Sequence, residues 1–256
     1  MTDAMLRLAL TLGLLALFAI LEWMVPARDS RLSVPRLARH GVLALIGSGL
    51  SRLALAGGLA SVATFSQDLD FGLLNWFGLQ GFWAVVLCFV LLDFSVWFQH
   101  LLTHKIPILW RLHRVHHGDV VMDVTTALRF HPLEILGSLF YKAAIVCLLG
   151  APPEVVFAFE LVLGASALFT HANIAIPPAI DRVLRLVIVT PAVHLIHHSP
   201  NPSETDSNYG FNFSIWDRIF GTYRAPSPKG AQAIGLGDWR GPQDETLKAM
   251  VINPFV

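Results

Sequence analysis

A chain of 256 residues that is 54% hydrophobic and only 14% charged is too apolar for an ordinary soluble domain, where charged residues make up about a quarter. Its 18 basic and 18 acidic residues cancel, so the electrostatic footprint of a nucleic-acid-binding protein is missing. The composition is that of a membrane protein, and Cys88 and Cys147 lie inside apolar runs with no Cys-x-x-Cys spacing, as small hydrophobes within helices.

From Met5 to about Met24 runs an apolar stretch of about twenty residues, enough to cross a hydrocarbon core of about 30 Å. No small-x-small cleavage site follows, so a retained helix is expected rather than a signal peptide. Arg28, Arg31, Arg36 and Arg39 come next, and His40 among them reads as a plain surface residue. A second span is predicted from about Val42 to Thr64, with Gly47, Gly49, Gly57 and Gly58 letting a neighbouring helix approach closely. Gly47-Ser48-Gly49 does not open a dinucleotide-binding fingerprint, because it lies within a span and the third glycine is missing. The segment Gln67 to Gln80 holds Asp68 and Asp70 but no Lys or Arg. A third span follows from about Phe82 to Trp97, continues without a breaker into His100 and His104, and completes the membrane helices of residues 1–98.

Residues 99–131 form a first histidine region with Lys105, Arg111, Arg114 and Arg129. His131-Pro132 opens a fourth span, since proline is tolerated in the first turn of a helix. It ends near Gly150, and Pro152-Pro153 turns the chain into a fifth span from Glu154 to about Phe169, so residues 132–170 hold two spans. His171 stands just past that end and begins an interfacial and helical cap over residues 171–225. Pro177-Pro178 starts a short amphipathic helix to about Val189, expected to lie in the interface plane. Thr190-Pro191 is an N-cap followed by a first-turn proline, and its helix carries His194, His197 and His198 before Ser199-Pro200-Asn201-Pro202 stops it. Turn formers dominate from Ser203 onward, and residues 226–256 read as a soluble tail. The expected fold is a single all-α domain: an integral membrane helical bundle of about five spans with a cytoplasmic helical cap carrying the histidine clusters.

Orientation follows from the positive-inside rule. Segments 25–39, 105–131 and 172–256 are basic, whereas 65–80 and 150–153 contain no Lys or Arg. The basic side, expected to be cytoplasmic in a bacterial inner membrane or the endoplasmic reticulum, receives all the clustered histidines, and the N-terminus falls outside.

Ten of the eleven histidines belong to this pattern. His100 and His104 stand one helical turn apart; His113, His116 and His117 stand at i, i+3 and i+4; His194, His197 and His198 repeat that spacing. His131 and His171 lie between. Protonated, these rings repel; neutral and unpaired, each loses about 2–7 kcal/mol of hydration when buried. A metal resolves both costs, because one ring nitrogen ligates while the other donates to a supporting acceptor. Four to six ligands per ion make ten histidines a site for two ions rather than one. Imidazole suits several metals. A cluster at a membrane surface faces lipid-sized substrates, and oxidation of their C–H bonds needs an oxidant made from dioxygen, which iron can make and zinc cannot.

The residues also carry a resemblance. His100-x3-His104, His113-x2-His116-His117 and His194-x2-His197-His198, with Asp93 seven residues ahead, Arg129-Phe-His131-Pro-Leu-Glu134, His171-Ala-Asn173, Glu204-Thr-Asp-Ser-Asn208-Tyr209-Gly210 and Trp216-Asp217-Arg-Ile-Phe220-Gly221-Thr222-Tyr223, resemble the fatty acid hydroxylase/sterol desaturase superfamily. They are most similar to its alkylglycerol monooxygenase-like and bacterial sterol-desaturase-like members. The match covers about residues 93–225 and leaves out the first two spans and the tail. It implies a di-iron centre held by His100, His104, His113, His116, His117, His131, His171, His194, His197 and His198, dioxygen as cosubstrate, and hydroxylation or desaturation of a lipid. A fused cytochrome b5 domain of the kind some relatives carry is missing, so electrons are expected from a separate cytochrome b5, ferredoxin or pterin.

Five residues are candidates to support the ligands. Asp93, two turns before His100, is expected to accept a hydrogen bond from a ligand imidazole, and Glu134 to do the same for His131. Asn173 lies beside His171; Asn208 and Tyr209, with Trp216 to Phe220, form either a lid under the metals or a packed turn. Arg52, Lys142 and Glu160 fall within spans, where snorkelling or pairing between helices accounts for them. Two rivals remain. A metal carrier or sensor would space ionisable residues through the depth of the spans, and a zinc hydrolase would set a general-base carboxylate beside its ligands as in His-Glu-x-x-His; neither pattern matches the His-x-x-His-His copies.

Overall fold

The computed structural model describes residues 3–30, 32–226 and 233–256, so Arg31 and the start of the expected tail lie outside the described residues. Among these there are helices and two isolated antiparallel bridges, Pro26 with Ile174 and Ile188 with Phe213, and no strand. Five segments are long and apolar enough to cross a membrane: Met5–Met24, Val34–Trp76, Gly81–Lys105, Pro132–Leu149 and Pro153–His171. The protein is an integral membrane helical bundle.

Helix α1 (Asp3–Met24) rises about 33 Å at 1.5 Å per residue and exposes Leu8, Leu10, Leu12 and Leu17. The second span is not one helix. It divides into α2 (Val34–Ala54) and α3 (Gly58–Asp68), followed by the short α4 (Leu73–Trp76). Leu55 leaves helical geometry and Gly58 takes φ +64°, a left-handed conformation that glycine adopts without the steric cost other residues meet. The glycines therefore divide their work. Gly47 brings α2 against α7, where a Cβ would sit 3.2 Å from Ile135 Cβ; Gly49 faces open space; Gly57-Gly58 break the helix.

The longest element, α5 (Gly81–Lys105), runs unbroken from the span into His100 and His104. Six successive α-helices then open on a first-turn proline: α6 (Pro107–His117), α7 (Pro132–Leu149), α8 (Pro153–His171), α9 (Pro178–Leu184), α10 (Pro191–His197) and α11 (Pro202–Thr205). Proline needs no N–H partner there and holds the preceding residue extended, so each one both starts a helix and turns the chain. Two further short helices, α12 (Ile215–Ile219) and α13 (Leu247–Ile252), complete the described chain.

The membrane core packs α3, α5, α7 and α8 around Leu59, Cys88, Leu92, Val146, Val156 and Phe159; Cys88 is a buried apolar filler and both cysteines are free. A second core lies under the cap, where Leu236, Trp239 and Met250 pack on Val115 and Leu43. The stretch expected as a solvated tail thus closes the cap, because its apolar residues cover α6. His40, expected at the surface, is fully buried, with Nδ1 against the carbonyl and hydroxyl oxygens of Thr125 at 3.1 and 2.9 Å.

Other boundaries shift. His171 is the last residue of α8 rather than a residue past it. The amphipathic helix α9 stops at Leu184 instead of Val189, since Val187 and Val189 exchange backbone hydrogen bonds with Ser214 and Asn212. Ile180, Val183, Leu186 and Val187 keep their apolar surface outward. Thr190 stands at the N-cap of α10, yet its hydroxyl donates to Asp181 Oδ1 at 2.6 Å instead of capping.

Candidate metal centre

Four helix ends converge on one pocket. The last two turns of α5 bring His100 and His104, α6 brings His113, His116 and His117, α8 ends on His171, and α10 brings His194 and His197 with His198 at its C-cap. Helices as short as α10, at 7 residues, are held by packing rather than by propensity; α10 buries Val193, Leu195 and Ile196 together with its histidines.

Nine imidazoles form two adjoining groups. His100, His104, His113, His117 and His197 make the first, and His116, His171, His194 and His198 the second, each offering ring nitrogens within 4.8 Å of one another. They meet where the rings of His117 and His198 stack at 4.5 Å.

The hydrogen bonds set the tautomers. His100 Nδ1 donates to the Tyr209 carbonyl at 2.8 Å, His197 Nδ1 to that of Ser207 at 2.6 Å, His171 Nδ1 to that of Ala167 at 2.6 Å, and His113 Nδ1 to Glu134 Oε1 at 2.6 Å. These oxygens only accept, so each neutral ring turns a bare Nε2 lone pair inward. His100 Nε2 then faces those of His113 and His197 at 3.1 Å each, with no proton between them. In the second group His171 Nε2 faces those of His116 and His194 at 3.0 Å. His104 Nε2 and both nitrogens of His117 are buried without a partner.

Opposed lone pairs in a buried pocket repel unless a cation lies among them, and the donor set fits transition-metal ions. Two nitrogens about 2.1 Å from one ion stand about 3.0 Å apart at a right angle and about 3.4 Å apart at a tetrahedral one. The observed contacts of 3.0–3.3 Å fall within this range, so the nitrogens stand close enough to share an ion. Burial, reinforced by neighbouring imidazoles, pushes His116, His117, His194 and His198 well below the ordinary range, and burial takes His197 down to about 3. The neutral form is the one that binds metal.

Supporting residues divide differently from the sequence reading. His131 stands outside both groups: it caps α7, its Nδ1 accepting from the Leu133 amide at 3.1 Å while Nε2 reaches the Val251 carbonyl at 3.2 Å. Glu134 serves His113 rather than His131. Asp93 touches no imidazole; its Oδ2 accepts from Trp216 Nε1 at 2.8 Å, which ties α5 to α12. Asn173 holds the α1–α2 connection through Arg28 and Ser30. Asn208, at φ +53°, links α10 to Arg224, and Tyr209 lies edge-on against His100 and His104 at 5.7 and 5.2 Å. The segment around it is a packed floor, with Asp217 holding the Tyr209 and Gly210 amides at 2.9 and 2.8 Å.

Five further residues contribute, to which the sequence assigned no role. Phe130 stacks on His116 at 4.2 Å and Trp110 lies against His104 at 4.9 Å. Arg36 and Arg129 flank Asp119, two residues after His117. Burial alone would raise the Asp119 carboxyl, but the two guanidiniums outweigh it and hold the group down at about 2. Only the Arg129-Phe130 dipeptide before His131 carried a signal.

A cavity of about 150 Å³ opens on the first group at His100 and His113, with apolar walls from Val96, Phe130, Ile135 and Phe211. These features define a class: a helical membrane protein with two adjoining histidine groups, the first of which opens on a largely apolar cavity. The chain belongs to the fatty acid hydroxylase family, whose sequence model matches residues 85–222. It is similar to an ornithine lipid hydroxylase of Rhizobium tropici, 34% identical over 67% of this chain and 50% of that one. It is similar also to the alkylglycerol monooxygenase of Homo sapiens, at 31% over 57% of this chain and 32% of the relative. The cholesterol 25-hydroxylase of Mus musculus is 29% identical over 59% and 50%. The chain therefore spans about half or less of the length of these relatives. No solved structure matches it.

Proposed function

We propose that the protein hydroxylates a membrane lipid with dioxygen at two iron ions held by the two histidine groups, with electrons from a separate cytochrome b5, ferredoxin or pterin. The observation that carries this reading is the convergence of bare Nε2 lone pairs on a pocket continuous with an apolar cavity. The names of the relatives, lipid hydroxylases and monooxygenases, support hydroxylation over desaturation. Iron bound there supplies the redox chemistry with dioxygen that an unactivated C–H bond requires and zinc lacks.

The chain's own part is placement and shielding. Glu134 and the carbonyls of Tyr209, Ser207 and Ala167 hold four rings in the ligating tautomer. Val96, Phe130 and Phe211 line the lipid path and keep water from the reacting carbon. The excess of Lys and Arg on the histidine side supports a cytoplasmic cap.

The test is to incubate the purified protein, loaded with iron and supplied with reductant, with membrane lipids under isotopically labelled dioxygen. Lipid mass spectrometry should find one labelled oxygen gained. Alanine at His113 or His198 should abolish both metal loading and turnover; turnover retained without metal overturns the reading.

A further inference from the structure

The cavity beside the first histidine group is not uniformly apolar. One face of α7 lines it with Glu134, Ser138 and Lys142, spaced at i, i+4 and i+8, and Gln99 of α5 lies opposite, with Ser138 Oγ 3.3 Å from Gln99 Oε1. Eight residues of helix place Lys142 about 12 Å along α7 from the carboxylate that holds His113. The cavity thus has a histidine end and an ammonium end.

Lys142 is not explained by packing. It lies seven residues before Leu149 and ten after Pro132, so each end of α7 is about 10 Å or more away and snorkelling to water is a long reach. Among the described residues its ammonium makes no hydrogen bond or ion pair. The carboxylate whose field acts on it is Glu160 of α8, and Glu160 is committed to Arg7 of α1 at 2.5 Å. Two cations share one anion, which leaves one positive charge unmatched at the level of the spans. An ionisable group in that position marks a ligand site unless it has a partner.

We infer that Lys142 anchors the substrate by an acyl carboxylate or carbonyl oxygen, with the carbon to be oxidised lying at the histidine end about 12 Å away. This rests on the cavity being the lipid site of the proposed hydroxylase. Ser138 and Gln99 lie midway, where they admit a chain and offer a second polar contact.

Radiolabelled dodecanoate, methyl dodecanoate and dodecane are titrated onto the purified full chain in lipid nanodiscs without added iron, with empty nanodiscs subtracted. Dodecanoate should bind at least about tenfold more tightly than dodecane, the difference a single charged hydrogen bond confers. Equal preference for the methyl ester would place the anchor on a carbonyl; preference for dodecanoate alone would place it on a carboxylate. Lys142→Met should remove the preference for dodecanoate over dodecane, while Lys142→Arg keeps it. Wild-type protein that does not discriminate, or Lys142→Met that discriminates as wild type does, overturns the anchor but not the lipid site. Binding of no probe above empty nanodiscs overturns both. Should Lys142→Met fail to fold, the wild-type ranking decides alone.

Discussion

His113 and Glu134 are joined by a 2.6 Å hydrogen bond from Nδ1 to Oε1, which ties α6 to the first turn of α7 and fixes the His113 ring against a carboxylate. The acceptor keeps the proton on Nδ1, raises the basicity of Nε2 and aims it at His100. Glu134→Leu is expected to lower metal affinity by about 10–100-fold, and Glu134→Gln, which keeps an acceptor, by less. Metal retained against a graded chelator measures this; equal retention in all three proteins would contradict it.

His131 and His194 separate a helix cap from a ligand. His131→Ala is expected to cost about 1 kcal/mol through the lost cap on α7 and to leave metal content unchanged. His194→Ala should empty the second group. Thermal unfolding together with elemental analysis distinguishes them, and metal loss from His131→Ala would restore that residue to the ligand set.

Arg129 is fully buried and Glu245, from the C-terminal segment, meets its Nη1 at 2.7 Å. Glu245→Ala leaves a buried guanidinium with Asp119 at 3.7 Å as its remaining anion, so a loss of about 3 kcal/mol is expected. Chemical denaturation in detergent should show it. A change below about 0.5 kcal/mol would mean that the segment does not hold the cap closed.

The metal-free protein should be acid-sensitive. Burial lowers His116, His117, His194, His197 and His198 in the folded state, while the unfolded rings titrate near the ordinary value of about 6.5. Between the two values the unfolded chain binds more protons, so folding stability is full above about 6.5 and falls as the pH drops below it. Unfolding midpoints recorded downward from neutral pH should decline steeply, and a flat profile would indicate rings already protonated when folded.

Much of the site was legible because helical spacing survives folding. His113-x2-His116-His117 and its copy read as single faces without knowledge of their neighbours, and first-turn prolines marked the starts of α7 and α10. What was missed depends on contacts between distant segments. His40 sits among arginines, and its burial depends on Thr125 and on the covering tail. Asp93 shares a helix face with His100, yet Trp216 reaches it first, and Glu134 is nearer to His131 in sequence but to His113 in space. The break in the second span was written as Ala56-Gly57-Gly58, which reads equally as a packing surface until φ is known.

The central claim is that the two facing histidine groups hold two irons. Elemental analysis of the wild-type protein purified in detergent, with protein quantified by amino-acid analysis, tests it most directly. About two irons per chain are expected, falling toward zero in His113→Ala and His198→Ala while both variants remain folded. Stoichiometric zinc, or iron content unchanged by either substitution, would contradict it.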